Sequence, residues 1–145
     1  MAINTDWKLR FFTIWIGQAL SLFGSSLAGF GLIWWLTQST GSATVLAVGT
    51  IMTLIPGVLI GPFAGALVDR WDRRLVMMIA DSVAALAAAT LAILFWSDSI
   101  QLWHIYVIMF IRSFAGAFHF PAMQASTSLL VPDEQLTRVA GMNQM

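Results

Sequence analysis

Apolar residues along this chain of 145 residues are gathered into long runs, separated by short polar stretches. Each run is long enough to cross the hydrocarbon core of a bilayer, which takes about 20 residues in a helix. The most charged of the polar stretches is 69–74. The pattern predicts four transmembrane segments and the beginning of a fifth helix, at about 11–37, 43–68, 75–96, 102–130 and from about 136 onward.

Helices are the predicted form of these segments, because in hydrocarbon each backbone N–H and C=O must be satisfied within the segment or in a closed barrel. Barrel strands alternate over about ten residues, and these runs do not alternate. Pro132, followed by Asp133 and Glu134, is a helix-start signal for the fifth helix. The expected fold class is an all-α integral membrane protein.

Composition supports a membrane environment. Hydrophobic residues make up 59% of the chain, charged residues only 10%, and mean hydropathy is +0.81, whereas soluble domains carry about a quarter charged residues. With no cysteine there is neither a disulfide framework nor a thiolate metal site. The formal net charge of zero gives no basic face for nucleic acid. Residues 1–10 do not form a cleavable signal, because the apolar stretch after them is too long.

Positive charge predicts the orientation of the segments. If the chain crosses four times, every Lys and Arg outside the apolar runs falls on one side, which by the positive-inside rule is the cytoplasm. The N-terminus is then cytoplasmic, and the charges on that side are Lys8, Arg10, Arg70, Arg73, Arg74 and Arg138. Tryptophans near predicted segment ends are typical of an interfacial aromatic belt: Trp7, Trp71, Trp96 and Trp103.

Small residues in the second segment share one helical face. Gly57, Gly61 and Gly65 recur every four residues, and Pro56 and Pro62 should bend the same helix. Such stripes bring membrane helices into close contact. Two interpretations stay open, namely static packing within the bundle and a sliding contact between two halves that rock against each other.

The stretch 65–74, GALVDRWDRR, resembles the signature loop of the major facilitator superfamily, which joins its second and third helices and reads approximately G-x-L-a-D-r-x-G-r-k. The matching residues are Gly65, Leu67, Asp69, Arg70, Arg73 and Arg74. Asp72 stands where the pattern has glycine, which leaves the geometry of the turn open.

Asp69 lies at the end of the second helix, where the macrodipole is negative and an acid is disfavoured. A nearby arginine or the positive N-terminus of another helix would compensate for it. The resemblance implies the second, with Asp69 acting as a latch against the opposite half of a transporter. A set of positive-inside anchor charges would explain the arginines of the loop but not this acid.

Arg112 and Gly116 in the fourth segment resemble a reduced form of an R-x-x-x-G motif of proton-coupled exporters. An arginine near mid-bilayer costs several kcal/mol unless it faces protein, water or a partner. From their depths, we expect Asp81 in the third segment to pair with Arg112. The pair would be either a static device that lowers the insertion cost or a proton-sensitive relay. Gly116 is also expected to serve helix packing.

Three further polar residues are candidates for the site. His119 is either a relay residue, since histidine titrates near neutral pH, or a structural hydrogen-bond donor. Gln18 and Ser21 lie where many exporters of the superfamily carry an acid, so this half offers no obvious site for a cationic drug. Both are expected either to line the central cavity or to hydrogen-bond between helices.

From about Trp7 onward the chain resembles the macrolide-efflux branch of the superfamily, in stretches such as 13–19, 67–70, 110–113 and 117–122. The resemblance implies a proton-driven exporter, or antiporter, of amphipathic compounds, with macrolide-type antibiotics as one candidate class, in a bacterial inner membrane. It implies no cofactor, and its partners would be the lipid bilayer, the substrate, the proton and a second half of the transporter.

The superfamily is built from two halves of six helices, whereas four helices and part of a fifth are expected here. The chain is therefore expected to be the N-terminal part of a transporter. Two alternatives remain, an exporter of another metabolite such as a siderophore and a non-transporting membrane fragment. A membrane enzyme is disfavoured, because the two histidines and scattered acids form no catalytic cluster and no metal or nucleotide motif is present.

Overall fold

The computed structural model describes residues 6–142, with the side chains of that range except those at positions 6, 7, 10, 127–130 and 133. The described chain is all-helical, as the apolar pattern predicts. Its elements are α1 (Asp6–Thr40), α2 (Ala43–Val68), α3 (Arg73–Trp96), α4 (Leu102–Leu130), a short 3-10 helix (Asp133–Gln135) and α5 (Leu136–Met142). The first four helices are long and apolar enough to cross a membrane.

Helix α1 extends further than the hydropathy pattern predicts. In its polar end the hydroxyls of Thr37 and Thr40 are satisfied within the helix, because they donate to the carbonyls of Ile33 and Leu36, at 2.8 and 2.7 Å. Gly41, at φ +57°, ends the helix, and its N–H donates to the carbonyl of Thr37 at 3.0 Å. This left-handed conformation is the common helix terminator and favours glycine.

Helix α4 is the centre of the bundle. It packs extensively against α2 and α3, whereas α1 makes far fewer contacts with any of the other long helices. Tyr106 ties α4 to α2 by donating its hydroxyl to the carbonyl of Val45 at 3.1 Å. Helix α1 contributes Leu32 and Leu36 to an apolar cluster with α3 and α4.

Two apolar clusters lie at opposite ends of the bundle, with a polar layer between them. The cluster nearer the α1–α2 turn joins α1, α3 and α4 through residues such as Leu36, Leu91 and Ile105. The cluster nearer the α2–α3 loop contains Val68, Val76, Met77, Ala122 and Met123. A third, smaller cluster packs the start of α1 against α5.

The outer surface of the bundle is apolar. Large side chains such as Leu20, Phe63 and Leu86 are exposed, as expected of helices solvated by lipid. Trp71, Trp96 and Trp103 lie exposed at helix ends, where the aromatic belt is expected. Of the residues named for orientation and belt, the side chains of Trp7 and Arg10 lie outside the described residues.

The glycine stripe on α2 makes none of the helix contacts that its spacing predicts within the described chain. No atom lies within 4 Å of a Cβ built at Gly57, Gly61, Gly65 or Gly116, apart from each residue's own local backbone. The reason is the orientation of α2 about its own axis. The helix turns the adjacent face toward the bundle, and the buried residues of that face are Gly49, Pro56, Ala64 and Val68. The sliding interpretation of the stripe stays a prediction.

The close helix contact of α2 lies at Gly49 instead. A Cβ there would lie 3.1 Å from Leu36 Cδ1 and 3.6 Å from Met109 Cε and Sδ. Gly49 therefore sits where α1, α2 and α4 meet.

We predict that Gly49→Leu destabilises this chain by about 1–3 kcal/mol, because overpacking forces neighbouring side chains and backbone to move. The matched control, Gly57→Leu, makes the same change on the open face of α2 and is expected to lose much less. Reversible unfolding in detergent micelles, followed by tryptophan fluorescence, measures both. Equal losses from the two variants would contradict the placement of the buried face of α2.

Candidate functional site

The loop between α2 and α3 is a well-formed helix junction. Asp72 is the N-cap of α3, and its Oδ1 accepts from the backbone N–H of Arg74 at 2.9 Å and of Leu75 at 3.2 Å. These bonds satisfy two of the four N–H groups that a helix start leaves unpaired. The departure from the family glycine at this position thus has a structural role, and α3 begins at Arg73.

Asp69 is the C-cap of α2, and its compensation within the described chain is local. Its Oδ1 lies 3.5 Å from Arg73 Nη2, one helical turn on, and its side chain is 67% exposed. An exposed pair of this kind contributes at most about 1 kcal/mol. Arg73 also donates through Nη1 to the carbonyl of Ala125 on α4, at 3.1 Å. The loop is therefore anchored to the bundle by Arg73, while the Asp69 carboxylate stays accessible.

The remaining signature residues surround this anchor. Gly65 supplies the carbonyl that accepts the Asp69 N–H at 3.0 Å. Leu67, Arg70 and Arg74 are exposed. These three side chains face away from the described bundle, toward lipid, solvent or another part of a transporter.

A cavity of about 310 Å³ opens between α1, α2, α3 and α4, midway between the two larger apolar clusters. Its walls combine apolar residues with a small set of polar ones, and Gly116 lies on the wall beside Arg112. The polar lining consists of Ser21, Ser25, Thr53, Asp81, Arg112, Ser113 and His119. The ionisable side chains that the sequence singles out for a relay therefore all face one cavity.

Asp81 is the centre of the polar contacts at one end of this cavity. Gln18 Nε2 on α1 donates to Asp81 Oδ2 at 3.3 Å. His119 Nε2 on α4 lies 3.3 Å from Asp81 Oδ1. This approach is within ion-pair distance but is not aligned as a hydrogen bond, so its strength depends on whether the imidazole carries a proton. Gln18 thus makes a hydrogen bond between α1 and α3, and Ser21 lies on the cavity wall.

Two buried polar atoms without a hydrogen-bond partner among the described residues flank this one carboxylate. They are Gln18 Oε1 and His119 Nε2. Buried polar groups are nearly always partnered, and exceptions call for an explanation. A group that binds or loses a proton here, or a ligand that donates hydrogen bonds, would give these two atoms the partners that they lack among the described residues.

Arg112 does not pair directly with Asp81, which corrects the pairing expected from the sequence. Its Nη2 donates to the carbonyl of Ser25 on α1 at 2.9 Å. Asp81 lies about 22 Å along α3 from its end at Trp96, and His119 lies about 25 Å along α4 from Leu102. Arg112 lies only about 15 Å along α4, so His119 is the residue of α4 at the depth of Asp81.

Other contacts in the cavity were not anticipated from the sequence. The hydroxyl of Ser113 donates to the carbonyl of Thr53 on α2. Pro56 removes the N–H that would bond to the carbonyl of Met52, four residues earlier, and leaves the N–H that pairs with the Thr53 carbonyl in place. No signal in the sequence points to this contact between α2 and α4.

The described residues contain no group of three or more His, Cys, Asp or Glu side chains placed to hold a metal ion. The ionisable groups in the cavity are one acid, one histidine and one arginine. Such a set can hold a proton, an ion pair or a polar ligand.

Comparison with known proteins agrees with the fold and the signature loop. The sequence model of the Major Facilitator Superfamily matches residues 14–145. The chain therefore belongs to the Major Facilitator Superfamily of membrane transporters, and it is a multi-pass membrane protein. No solved structure matches the chain significantly.

Several relatives are efflux proteins by name. The chain is 45% identical to "Macrolide efflux protein A" of Streptococcus pyogenes over 96% of its own length and 34% of the relative's. It is 43% identical to "Macrolide efflux protein A" of Enterococcus faecalis, over 72% of this chain and 32% of that one. It is 26% identical to "Multidrug efflux pump Tap" of Mycobacterium bovis, over 82% and 28%. The chain thus spans about a third of the length of the curated relatives it matches.

We predict that Asp72→Ala destabilises the chain by about 1 kcal/mol, because it removes the side-chain acceptor at the start of α3. Asp72→Asn keeps an acceptor oxygen and serves as the control, with a smaller loss expected. Unfolding in detergent micelles measures both. Indistinguishable stabilities for wild type and the alanine variant would show that the cap contributes nothing.

Proposed function

We propose that this chain is the N-terminal part of a proton-coupled secondary exporter of amphipathic small molecules. The observation that carries the proposal is the membrane-embedded cavity at which Asp81, His119 and Arg112 meet. All three lie within helices of membrane-spanning length. Ionisable side chains at this depth are costly to insert and mark ion or substrate pathways.

The geometry supports proton binding at the Asp81–His119 pair. A protonated His119 beside an ionised Asp81 forms an attractive pair, and loss of the proton leaves the carboxylate facing a neutral ring. The charge in this part of the cavity therefore changes with one proton. Because Gln18 connects Asp81 to the sparsely packed α1, the protonation state can bias the position of that helix.

The substrate class rests on the relatives. Proteins named for macrolide and multidrug efflux match nearly all or most of this chain, and the cavity walls combine apolar with polar groups. Macrolide-type antibiotics are the first candidates. Another amphipathic metabolite, such as a siderophore, is the alternative within the same exporter function.

The proposed partner is a second half of the transporter. The superfamily alternates access between two six-helix halves, and this chain covers about a third of its curated relatives. Two features are suited to contact that half, the exposed carboxylate of Asp69 and the open glycine stripe of α2. In this proposal Asp69 is the latch that the resemblance implies.

The proposed location is a bacterial inner membrane with the N-terminus in the cytoplasm. By the alternation of the helices, Lys8, Arg70, Arg73, Arg74 and Arg138 belong to one end of the bundle, the end that carries the α2–α3 loop. The positive-inside rule assigns that end to the cytoplasm.

We predict that bacteria expressing the complete exporter that includes this chain extrude a macrolide, and that a protonophore abolishes the extrusion. Arg112→Ala is expected to lower the rate about tenfold or more, because it removes the charge at one end of the cavity. Arg138→Ala, an exposed arginine on α5, is the control and should leave the rate unchanged. Export is measured as the fall in intracellular drug, with membrane levels compared by immunoblot.

Export that persists with the protonophore would contradict proton coupling. Failure of well-expressed protein to export a macrolide, a siderophore or a fluorescent amphipath would contradict the exporter proposal. It would favour a non-transporting membrane protein with the same fold.

A further inference from the structure

A groove of about 400 Å³ runs along the outer surface of the bundle between α3 and α4. It shares no lining residue with the polar cavity. Its walls are almost entirely apolar, and they include Val83, Leu86 and Leu94 of α3 and Val107, Ile108 and Ile111 of α4. The groove is therefore separate from the site proposed for protons and substrate.

The groove is continuous with the surface of the bundle that faces lipid. On its walls, Leu86, Val107 and Ile111 are 68%, 45% and 40% exposed. Exposed side chains of Ile93 and Phe110 continue the apolar surface beside it. Because the helices cross a membrane, the medium at this surface is hydrocarbon. A molecule that enters the groove from the bilayer meets apolar side chains on both walls.

The length of the groove matches the thickness of one leaflet. Along α3 it extends from Leu94 to Val83, which is about 16 Å, and along α4 from Trp103 to Ile111, which is about 12 Å. Its outer end lies beside the α3–α4 turn, at the end of the bundle opposite the signature loop. The hydrocarbon of one leaflet is about 15 Å thick, half of the bilayer core. A lipid chain that starts at the headgroup level of this leaflet therefore spans the groove.

His104 places a hydrogen-bond donor at the headgroup end. The N–H of Gln101 donates to His104 Nδ1 at 3.1 Å, so the proton of the neutral ring is on Nε2. The other polar side chains on the groove wall already donate within the chain. Thr90 donates to the Leu86 carbonyl at 2.9 Å, and Trp103 Nε1 donates to Gln101 Oε1 at 2.8 Å. Among the described lining residues, the His104 N–H is thus the donor left for an acceptor from outside.

We propose that this groove binds a phospholipid of the leaflet opposite the signature loop, with one acyl chain between α3 and α4 and an ester or phosphate oxygen on His104 Nε2–H. A phospholipid has acceptor oxygens at the headgroup level and an apolar chain below them, in the order in which the groove presents its donor and its apolar walls. A helix from another part of a transporter is the competing occupant. Its backbone acceptors are paired within the helix, so the His104 donor would stay unpaired, which is unfavourable.

Native mass spectrometry of the complete transporter that includes this chain, titrated in detergent with palmitoyl-oleoyl phosphatidylglycerol, tests the groove. Thr90→Trp fills the middle of the groove and should weaken the tightest phospholipid binding about tenfold, because the indole clashes with the acyl chain. Ser82→Trp is the matched control and should leave binding unchanged. Ser82 is also exposed on α3, also donates to a carbonyl of its own helix, that of Met78 at 2.7 Å, and lies outside the groove.

A pair of variants at His104 tests the hydrogen bond while preserving the start of α4. His104→Gln and His104→Glu both keep an acceptor for the Gln101 N–H, as in a capping box. Only the glutamine side chain also keeps an N–H donor. We expect His104→Gln to bind the phospholipid about as tightly as the wild type, and His104→Glu to bind it about tenfold more weakly.

A wild type that retains no phospholipid would overturn the inference. So would equal retention in Thr90→Trp and Ser82→Trp, which would favour a protein segment as the cover of the groove. Equal affinities of His104→Gln and His104→Glu would overturn the contact with the lipid oxygen, even if Thr90→Trp fails to fold. Since no transport is measured, these outcomes are independent of the exporter proposal.

Discussion

The cost of placing ionisable side chains in hydrocarbon is the constraint on which this structure depends. Asp81, Arg112 and His119 lie in helices of membrane-spanning length, where a charge costs several kcal/mol unless it meets a partner. The bundle meets this cost by turning all three toward one cavity. Gln18 and the Ser25 carbonyl, both on α1, supply hydrogen bonds there. Helix α1 thus contacts the ionisable groups of α3 and α4 as well as their apolar residues.

The same constraint connects the architecture to transport. Apolar clusters lie on both sides of the polar layer along the bundle. A change in the charge of that layer therefore occurs between two well-packed regions. Arg73 joins the signature loop to α4 through the Ala125 carbonyl, and α4 also carries His119 and Arg112. The Asp81–His119 contact, Arg112 and the signature loop are therefore all connected to one central helix.

The sequence predicts the fold well, because length and hydropathy decide which segments cross a bilayer. The signature loop identifies the superfamily for a similar reason, since its pattern is local. Side-chain pairing is harder to predict, as Asp81 shows. Its depth differs from that of Arg112 by about 7 Å, which the reach of an arginine side chain could cover, whereas His119 lies nearer the depth of Asp81. The orientation of α2 about its axis is equally hard to predict from the sequence. Hydropathy does not distinguish the side of Gly49 from the side of Gly57 when both meet apolar surroundings.

The contact between Asp81 and His119 is tested most directly by nitrogen NMR of the histidines. The chain has only two histidines, and His104, whose Nδ1 accepts from the Gln101 N–H near the far end of the bundle, serves as an internal reference. With ¹⁵N-histidine-labelled chain in lipid nanodiscs, Asp81→Asn should shift the ring signals of His119 and leave those of His104 in place. Arg112→Gln should shift the His119 signals much less. Unchanged His119 signals in Asp81→Asn, or an equal shift in Arg112→Gln, would contradict the account.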